Sequence, residues 1–172
     1  MQQIIISGLG GQGVLFVTRL LADAALRMDY SVLISETHGM AQRGGNVISH
    51  LKVARKEAKE SLISPLIRPG RADILLALHS EAMKVHGHFL RPDGEAFSDC
   101  GEPSEKLHVI AASRIATELN SPVSANLVLL GFAATSGILF CGPEQVEEVL
   151  AGYGGKRLEM SLKAFRAGSG RS

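Results

Sequence analysis

Short apolar runs rich in branched side chains alternate with longer amphipathic stretches along this 172-residue chain. Strands are predicted where the apolar runs are short or repeat every second residue: 3–7, 32–35, 46–53, 73–78 and 107–110. Helices are predicted where apolar residues recur at helical spacing: 14–28, 80–89, 112–119, 122–137, 143–150 and 158–165. A turn is predicted at residues 91–94. Such alternation is typical of a single three-layer α/β/α domain with a mostly parallel sheet. The domain is predicted to span residues 1–167, followed by a frayed tail, 168–172.

Several glycines lie between the first predicted strand and the first predicted helix. Gly8, Gly10 and Gly13 have the G-x-G-x-x-G spacing of a Rossmann-like βα turn. In such a turn glycine permits a sharp bend, and the start of the next helix presents free N–H groups to a ligand. Gly8, Gly10, Gly11, Gln12 and Gly13 are therefore candidate cofactor-binding residues. A tight βα turn that binds nothing accounts for the same spacing.

A second glycine-bearing stretch follows the second predicted strand. Glu36 ends that strand, close to where a dinucleotide-binding fold places its ribose-binding carboxylate. The loop 37–46 then contains His38, Arg43 and Gly44, and apolar packing does not require such polar residues. An arginine at the carboxyl edge of a sheet suits a carboxylate, a phosphate or an acidic partner surface. Contact with a cofactor, another ligand or a subunit is therefore favoured over a solvated loop.

The composition and charge of the chain argue against several classes of function. The formal net charge of +1 does not indicate nucleic acid or an anionic membrane surface as a partner. Cys100 and Cys141 are too few for a disulfide framework, and neither they nor the histidines have metal-ligand spacing. No catalytic or metal-binding residue is predicted. The uncharged stretch 122–143 is long enough to span a membrane, but its polar residues and glycines favour a buried helix. With no secretory signal evident, the cytoplasm is the expected location.

The two glycine motifs together resemble those of a known family. The stretches 8–13 (GLGGQG) and 36–45 (ETHGMAQRGG) are similar to the gamma domain of 2-oxoacid:ferredoxin oxidoreductases. The second motif is most similar to the small (beta) subunit of the indolepyruvate-type enzymes. Pyruvate-type members have a different sequence in this loop but usually retain the residues that match Gly39, Arg43 and Gly44. Softer matches extend to 125–126, 130–131 and 164–168.

The resemblance implies a subunit of a larger enzyme. Members of this family decarboxylate a 2-oxo acid oxidatively to an acyl-CoA, CO2 and reduced ferredoxin, using thiamine diphosphate, Mg and iron–sulfur clusters. A four-iron cluster needs four thiolates, whereas this chain has two cysteines, and no thiamine diphosphate motif is visible. The resemblance therefore implies that a large catalytic subunit carries these cofactors, that CoA and an aryl pyruvate are substrates of the complex, and that ferredoxin accepts the electrons. The isolated chain is expected to be inactive.

Two other functions stay open on the sequence alone. One is an NAD(P)-binding Rossmann-type oxidoreductase domain, with Glu36 on the ribose. The other is a regulatory module that senses a nucleotide. Titration of the chain with NAD(H), NADP(H) and CoA separates these functions from the subunit hypothesis.

Overall fold

The computed structural model describes residues 1–37, 45–61 and 63–170, with only the backbone for Thr37 and residues 59–61. The strands are β1 (Gln2–Leu9), β2 (Tyr30–Thr37), β3 (Asn46–Arg55), β4 (Ala72–Ala77), β5 (Leu90–Ser98) and β6 (Leu107–Val109). The α-helices are α1 (Val14–Arg27), α2 (Ser80–His86), α3 (Ala112–Glu118), α4 (Ala125–Thr135), α5 (Pro143–Tyr153) and α6 (Leu158–Gly168). Short 3₁₀ segments lie at Lys56–Ser61, Gly87–Phe89 and Pro122–Ser124. The domain boundary at residue 167 stays a prediction.

The described strands form one sheet with the order β2-β3-β1-β4-β5-β6. From β1 through β4 and β5 to β6, each neighbouring pair is parallel. The exception is β3, which lies between β1 and β2 and is antiparallel to both. The prediction of an α/β fold with a mostly parallel sheet is confirmed.

Strand β5 replaces the turn that the sequence predicts at residues 91–94, so that prediction is wrong. Its pairing with β4 jumps from Ala72–Leu90 to Ile74–Glu95, which leaves residues 91–94 as an irregularity inside the strand. A bulge of this kind accommodates proline and glycine because the residues in it leave the hydrogen-bonded ladder. An ion pair of 2.5 Å between Arg91 and Asp73 fixes the bulge against β4.

Helices cover the two faces of the sheet unequally. Ile4, Leu76 and Phe97 point to the first face, where they are fully buried under α1, α3, α4, α5 and α6. On the second face, Ile5 and Leu75 pack against α2 and against the segment around Ile67. The layer on the second face is therefore thin, because α2 has only 7 residues.

The uncharged stretch 122–143 contains the core helix α4, which is shorter than the predicted 122–137 and in which Val128 and Leu129 are buried. Over the described ranges, no helix is both long and apolar enough to cross a membrane. α4 crosses α6 closely at Gly131 and Gly168. A Cβ atom at either glycine would overlap a carbonyl oxygen of the other helix, which explains why both positions are glycine.

Candidate functional site

The glycine turn joins β1 to α1 at the carboxyl edge of the sheet. Gly11 and Gly13 adopt left-handed conformations, with φ of 95° and 80°, which only glycine adopts without strain. The side chain of Gln12 folds back so that its Oε1 accepts a hydrogen bond of 2.7 Å from the N–H of Leu9. A Cβ on Gly8 would lie 2.8 Å from this Oε1 atom. Gly8 and Gln12 therefore close the turn from within.

Gly10 links the turn to the end of the second glycine motif. Its N–H donates a hydrogen bond of 2.9 Å to the carbonyl oxygen of Gly45, which continues the β1–β3 ladder by one step. The two glycine motifs therefore meet at the same edge of the sheet, although 35 positions separate these two residues in the sequence.

The first residues of α4 form the wall opposite the turn. Asn126 is nearly buried, its Oδ1 accepts from the N–H of Leu127 at 2.8 Å, and a Cβ on Gly13 would overlap its amide nitrogen. Asn126 is the second residue of α4, so the start of that helix holds its side chain against the glycine turn.

A cleft of about 360 Å³ opens between the turn, α1, α4 and the α5–α6 connection. A second one, of about 250 Å³, continues along the far side of Asn126 toward α3. Gly11, Gln12, Val123 and Asn126 line both, so the two form one concave region over the turn. Of its apolar residues, Val123 is 73% exposed, which is unusual for a side chain of this kind.

Aromatic and cationic side chains line the outer part of the 360 Å³ cleft. The rings of Phe16 and Tyr153 lie 6.2 Å apart, and Arg157 lies on the same rim. The hydroxyl of Tyr153 donates to Asp23 at 2.5 Å. Burial and the hydrogen bond to Asp23 raise the pKa of Tyr153, so the phenol stays protonated at neutral pH. The cleft therefore offers a flat apolar surface, an amide and a guanidinium, which suit binding rather than proton transfer.

Sequence reasoning did not identify Tyr153 or Arg157 as site residues. Their signal is the segment Tyr153–Arg157 (YGGKR), in which Gly154 and Gly155 both take positive φ. A glycine pair flanked by an aromatic and basic residues between two helices resembles a binding loop as much as a simple connection. Only the fold shows that this loop returns to the first glycine turn.

Glu36 is exposed near the end of β2 and pairs with Ser49 of β3. In a dinucleotide-binding fold the strand that carries the acidic residue lies next to the strand that carries the glycine turn. Here β3 lies between them, so two strand spacings, or roughly 10 Å, separate Glu36 from β1. The structure therefore does not bring Glu36 to the glycine turn in the way that ribose recognition requires.

Three candidate residues of the second motif, His38, Arg43 and Gly44, lie outside the described residues. The structure does describe both ends of that stretch. It leaves β2 at Thr37 and returns at Gly45, which is bonded to Gly10. The roles of the candidate residues in cofactor binding stay predictions.

The two cysteines of the chain are fewer than the four thiolates that a four-iron cluster needs. Cys100 is exposed and Cys141 is buried, and neither is in a disulfide. In the part of the chain that the structure describes, no three His, Cys, Asp or Glu side chains converge as a metal site would need. His79 caps α2 by accepting from the N–H of Glu81, and His86 hydrogen-bonds Ser7 at 2.6 Å.

The mostly parallel sheet, the glycine turn and the cleft at its carboxyl edge define a Rossmann-like α/β domain with a concave region at the edge where ligands of such folds collect. A family model described as pyruvate ferredoxin/flavodoxin oxidoreductase matches residues 3–170. The chain belongs to this family.

Relatives match over nearly the whole chain. The indolepyruvate oxidoreductase subunit IorB of Archaeoglobus fulgidus is 28% identical, and the match covers 96% of this chain and 92% of that protein. The 2-oxoglutarate synthase subunit KorC of the same organism is 30% identical, with 96% of this chain and 84% of that protein covered. This chain is thus a member of a family of small oxidoreductase subunits.

Solved structures share the fold. The gamma subunit of a keto/oxoacid ferredoxin oxidoreductase from Geobacter sulfurreducens aligns with a TM-score of 0.76 at 24% identity, covering 98% of this chain and 96% of that one. A 2-oxoglutarate:ferredoxin oxidoreductase from Magnetococcus marinus, solved with 2-oxoglutarate, coenzyme A and succinyl-CoA, aligns with a TM-score of 0.75 at 23% identity. That match covers 98% of this chain but 30% of the longer one, so the same fold occurs there as one part of a larger polypeptide.

Proposed function

We propose that this chain is the small subunit of a thiamine-diphosphate-dependent 2-oxoacid:ferredoxin oxidoreductase of the indolepyruvate type. It would complete the complex in which a large subunit decarboxylates an aryl pyruvate oxidatively to an acyl-CoA. The observation that carries the proposal is the match to IorB, which covers 96% of this chain and 92% of that protein. Because the match covers nearly all of both proteins, it supports the same subunit role for this chain and argues against a shared domain within an unrelated protein.

The donor set of the chain supports a large partner. The chain has two cysteines, too few for a four-iron cluster, and its described residues form no group of three His, Cys, Asp or Glu side chains that could hold the divalent ion of thiamine diphosphate. The large subunit would hold these groups and pass electrons to ferredoxin. The two cysteines without a disulfide suit a reducing compartment, and the cytoplasm is part of the proposal.

The cleft over the glycine turn would be the contribution of this chain to the assembled site. Gly11, Gly13 and Asn126 form its floor, with Phe16 and Arg157 on its rim. Its aromatic surface and guanidinium suit either a CoA-like anionic ligand or a loop of the large subunit. The candidate residues Arg43 and Gly44 come directly before Gly45 in the sequence, and their contact with this ligand or loop belongs to the proposal.

The alternative of an NAD(P)-binding oxidoreductase or nucleotide sensor has less support. β3 separates Glu36 from the glycine turn, and Oε1 of Gln12 is engaged within that turn. The fold therefore lacks the arrangement of strand, turn and acidic residue by which dinucleotides are recognised.

Co-expression tests the proposal. The chain with its large subunit should co-purify and reduce a viologen dye in the presence of indolepyruvate, CoA and thiamine diphosphate. Indolepyruvate should be used with a higher kcat/KM than pyruvate or 2-oxoglutarate. The chain alone should be colourless and inactive. Activity of the lone chain, or full activity of the large subunit without it, contradicts the proposal.

A further inference from the structure

The strand at one edge of the sheet, β2, has a neighbouring strand on one side only. All 8 of its residues pair with β3, and the register does not shift along the strand. Among the described residues, the backbone of β2 bonds to no strand or loop other than β3. The N–H and C=O groups along its outer side are therefore available to pair with a strand of another chain.

The sequence of β2 lacks the features by which exposed edge strands usually avoid such pairing. Protected edge strands are short, contain a bulge, or contain proline or lysine. β2 contains no proline and no basic residue, and its one charged residue, Glu36, is next to its end. The strand at the other edge, β6, has only 3 residues and directly follows Lys106. Of the two edges, β2 is therefore the one suited to extend the sheet.

The side chains of β2 also leave surface for a neighbour to cover. None of residues 30–36 is buried, and Ile34 is 37% exposed although it is a large apolar residue. A strand placed beside β2 would remove part of this apolar surface from water, in addition to satisfying the backbone groups.

An antiparallel second copy of β2 matches the strand residue by residue. With the register centred on Leu33, the opposed pairs are Leu33–Leu33, Val32–Ile34, Ser31–Ser35 and Tyr30–Glu36. Apolar residues then face apolar residues, serine faces serine, and no two like charges are directly opposed. A shift of one residue would place Ser31 opposite Ile34, or Val32 opposite Ser35, depending on its direction. The sequence therefore favours this one register.

We propose that β2 pairs with β2 of a second copy of this chain, antiparallel and centred on Leu33. The two six-stranded sheets would form one continuous sheet across a two-fold axis. Self-complementarity selects this occupant over a strand of the large subunit, because the same 8 residues supply matching pairs on both sides of the axis. The inference goes beyond the proposed function and does not depend on it. In the proposed complex, the pairing would join two small subunits.

Sedimentation of the full chain over a wide range of concentrations tests the pairing. The unmodified chain should show a reversible equilibrium between monomer and dimer. Ile34→Lys should raise the dissociation constant of the dimer at least about tenfold, because each lysine would face the apolar Val32 and lie diagonally across from the other copy's lysine.

Val85→Lys is the matched control for this substitution. Val85 is also 37% exposed, but it lies on α2, which packs against β1 and β4 away from the β2 edge. The dissociation constant of this variant should stay within about twofold of that of the unmodified chain. Both variants should keep the thermal midpoint of the unmodified chain, which shows that they fold.

A cysteine at the centre of the pairing tests the register. Cys100→Ser first removes the exposed native thiol. In that background, Leu33→Cys would place two thiols opposite each other, at a Cα separation of about 4.5–5.5 Å that a disulfide can bridge. Mild oxidation should therefore give a covalent dimer with Leu33→Cys and none with Val85→Cys.

The outcomes separate this inference from the proposed function. A chain that is monomeric throughout, or a dimer that Ile34→Lys does not weaken, contradicts the pairing. A monomeric chain whose assembly with the large subunit is weakened by Ile34→Lys would show that the large subunit pairs with β2, and the inference is again wrong. In these cases the proposed function stands if the complex forms. A dimeric chain that binds no large subunit contradicts the proposed function alone. Should Leu33→Cys fail to fold, Ile34→Lys decides, because the side chain of Ile34 is exposed.

Discussion

At the scale of single residues, the glycine turn depends on left-handed backbone conformations that residues with a Cβ atom adopt only under strain. Gly13 combines a φ of 80° with the amide of Asn126 directly where a Cβ would lie. Gly11 has a φ of 95° but open space around the same position. Substitution of Gly11 therefore adds backbone strain alone, whereas substitution of Gly13 adds both strain and steric overlap.

Gly13→Ala should lower the free energy of unfolding by about 2–4 kcal/mol, through strain and overlap together. Gly11→Ala, which adds only strain, should cost about 1–2 kcal/mol. Urea denaturation measures both, and Gly13→Ala combined with Asn126→Ala should recover part of the loss. A Gly13→Ala variant as stable as the unmodified chain would show that the turn has no structural role.

The requirement at Gly10 is different. Gly10 is not among the glycines with positive φ, and its N–H bonds the carbonyl oxygen of Gly45, a contact that any residue except proline can make. From its place in the glycine motif alone, we expect Gly10→Val to cost more than the ~1 kcal/mol typical of a surface substitution. An unchanged melting temperature together with unchanged assembly would contradict this expectation.

Histidines on the second face make stability depend on pH. Burial, together with nearby cationic or titratable groups, lowers the pKa of His50 and of His86, so both rings are neutral in the folded chain. The unfolded chain takes up these protons near pH 6.5. Stability is therefore fully present above that pH and falls as the pH drops below it.

The thermal midpoint should accordingly be flat from pH 8 to about pH 7 and fall toward pH 5.5. His86→Asn should make this fall smaller. His79→Asn removes a histidine elsewhere while keeping a helix-capping side chain, so it should leave the fall unchanged. A midpoint that does not change with pH between these limits would show that the folded state tolerates the protonated rings.

At the scale of elements, the crossing of α4 and α6 holds the helical layer together. The backbones approach so closely that Gly131 faces the carbonyl of Phe165, and Gly168 faces that of Val128. Gly131, Phe165 and Gly168 lie within the weaker family matches at 130–131 and 164–168. Close helix packing is therefore a physical reason for those two matches.

Gly131→Ala or Gly168→Ala should reduce the free energy of unfolding by about 3 kcal/mol, because the added methyl forces the two helices apart. Gly152→Ala in α5 is the control. Its Cβ would meet only the mobile end of the Arg27 side chain, at 2.8 Å, so it should be neutral or slightly stabilising. Equal effects in chemical denaturation at all three positions would contradict the close crossing.

At the scale of the whole molecule, the carboxyl edge collects the turn, the cleft and both ends of the Arg43 stretch. Arg43→Ala should leave the thermal midpoint of the isolated chain unchanged, because the prediction gives Arg43 a role in assembly or ligand contact. Assembly with the large subunit or turnover of the complex should be weakened. Arg114→Ala, on the exposed side of α3, should change neither. An unfolded Arg43→Ala chain would instead make the arginine a structural clamp.

The sequence by itself determined the order of most elements, the mostly parallel sheet and the place of the glycine turn. These follow from local periodicity and from glycine chemistry, which neighbouring residues in the chain carry. The turn predicted at residues 91–94 is wrong because the pairing of Leu90 and Glu95 with β4 on either side keeps this segment within β5 as a bulge.

Only the tertiary structure decided which distant residues meet. It inserted antiparallel β3 between Glu36 and the turn, and it brought Asn126, Tyr153 and Arg157 to one cleft. Strand order and helix packing depend on contacts between residues far apart in the chain, and a single sequence carries no periodic signal for such contacts.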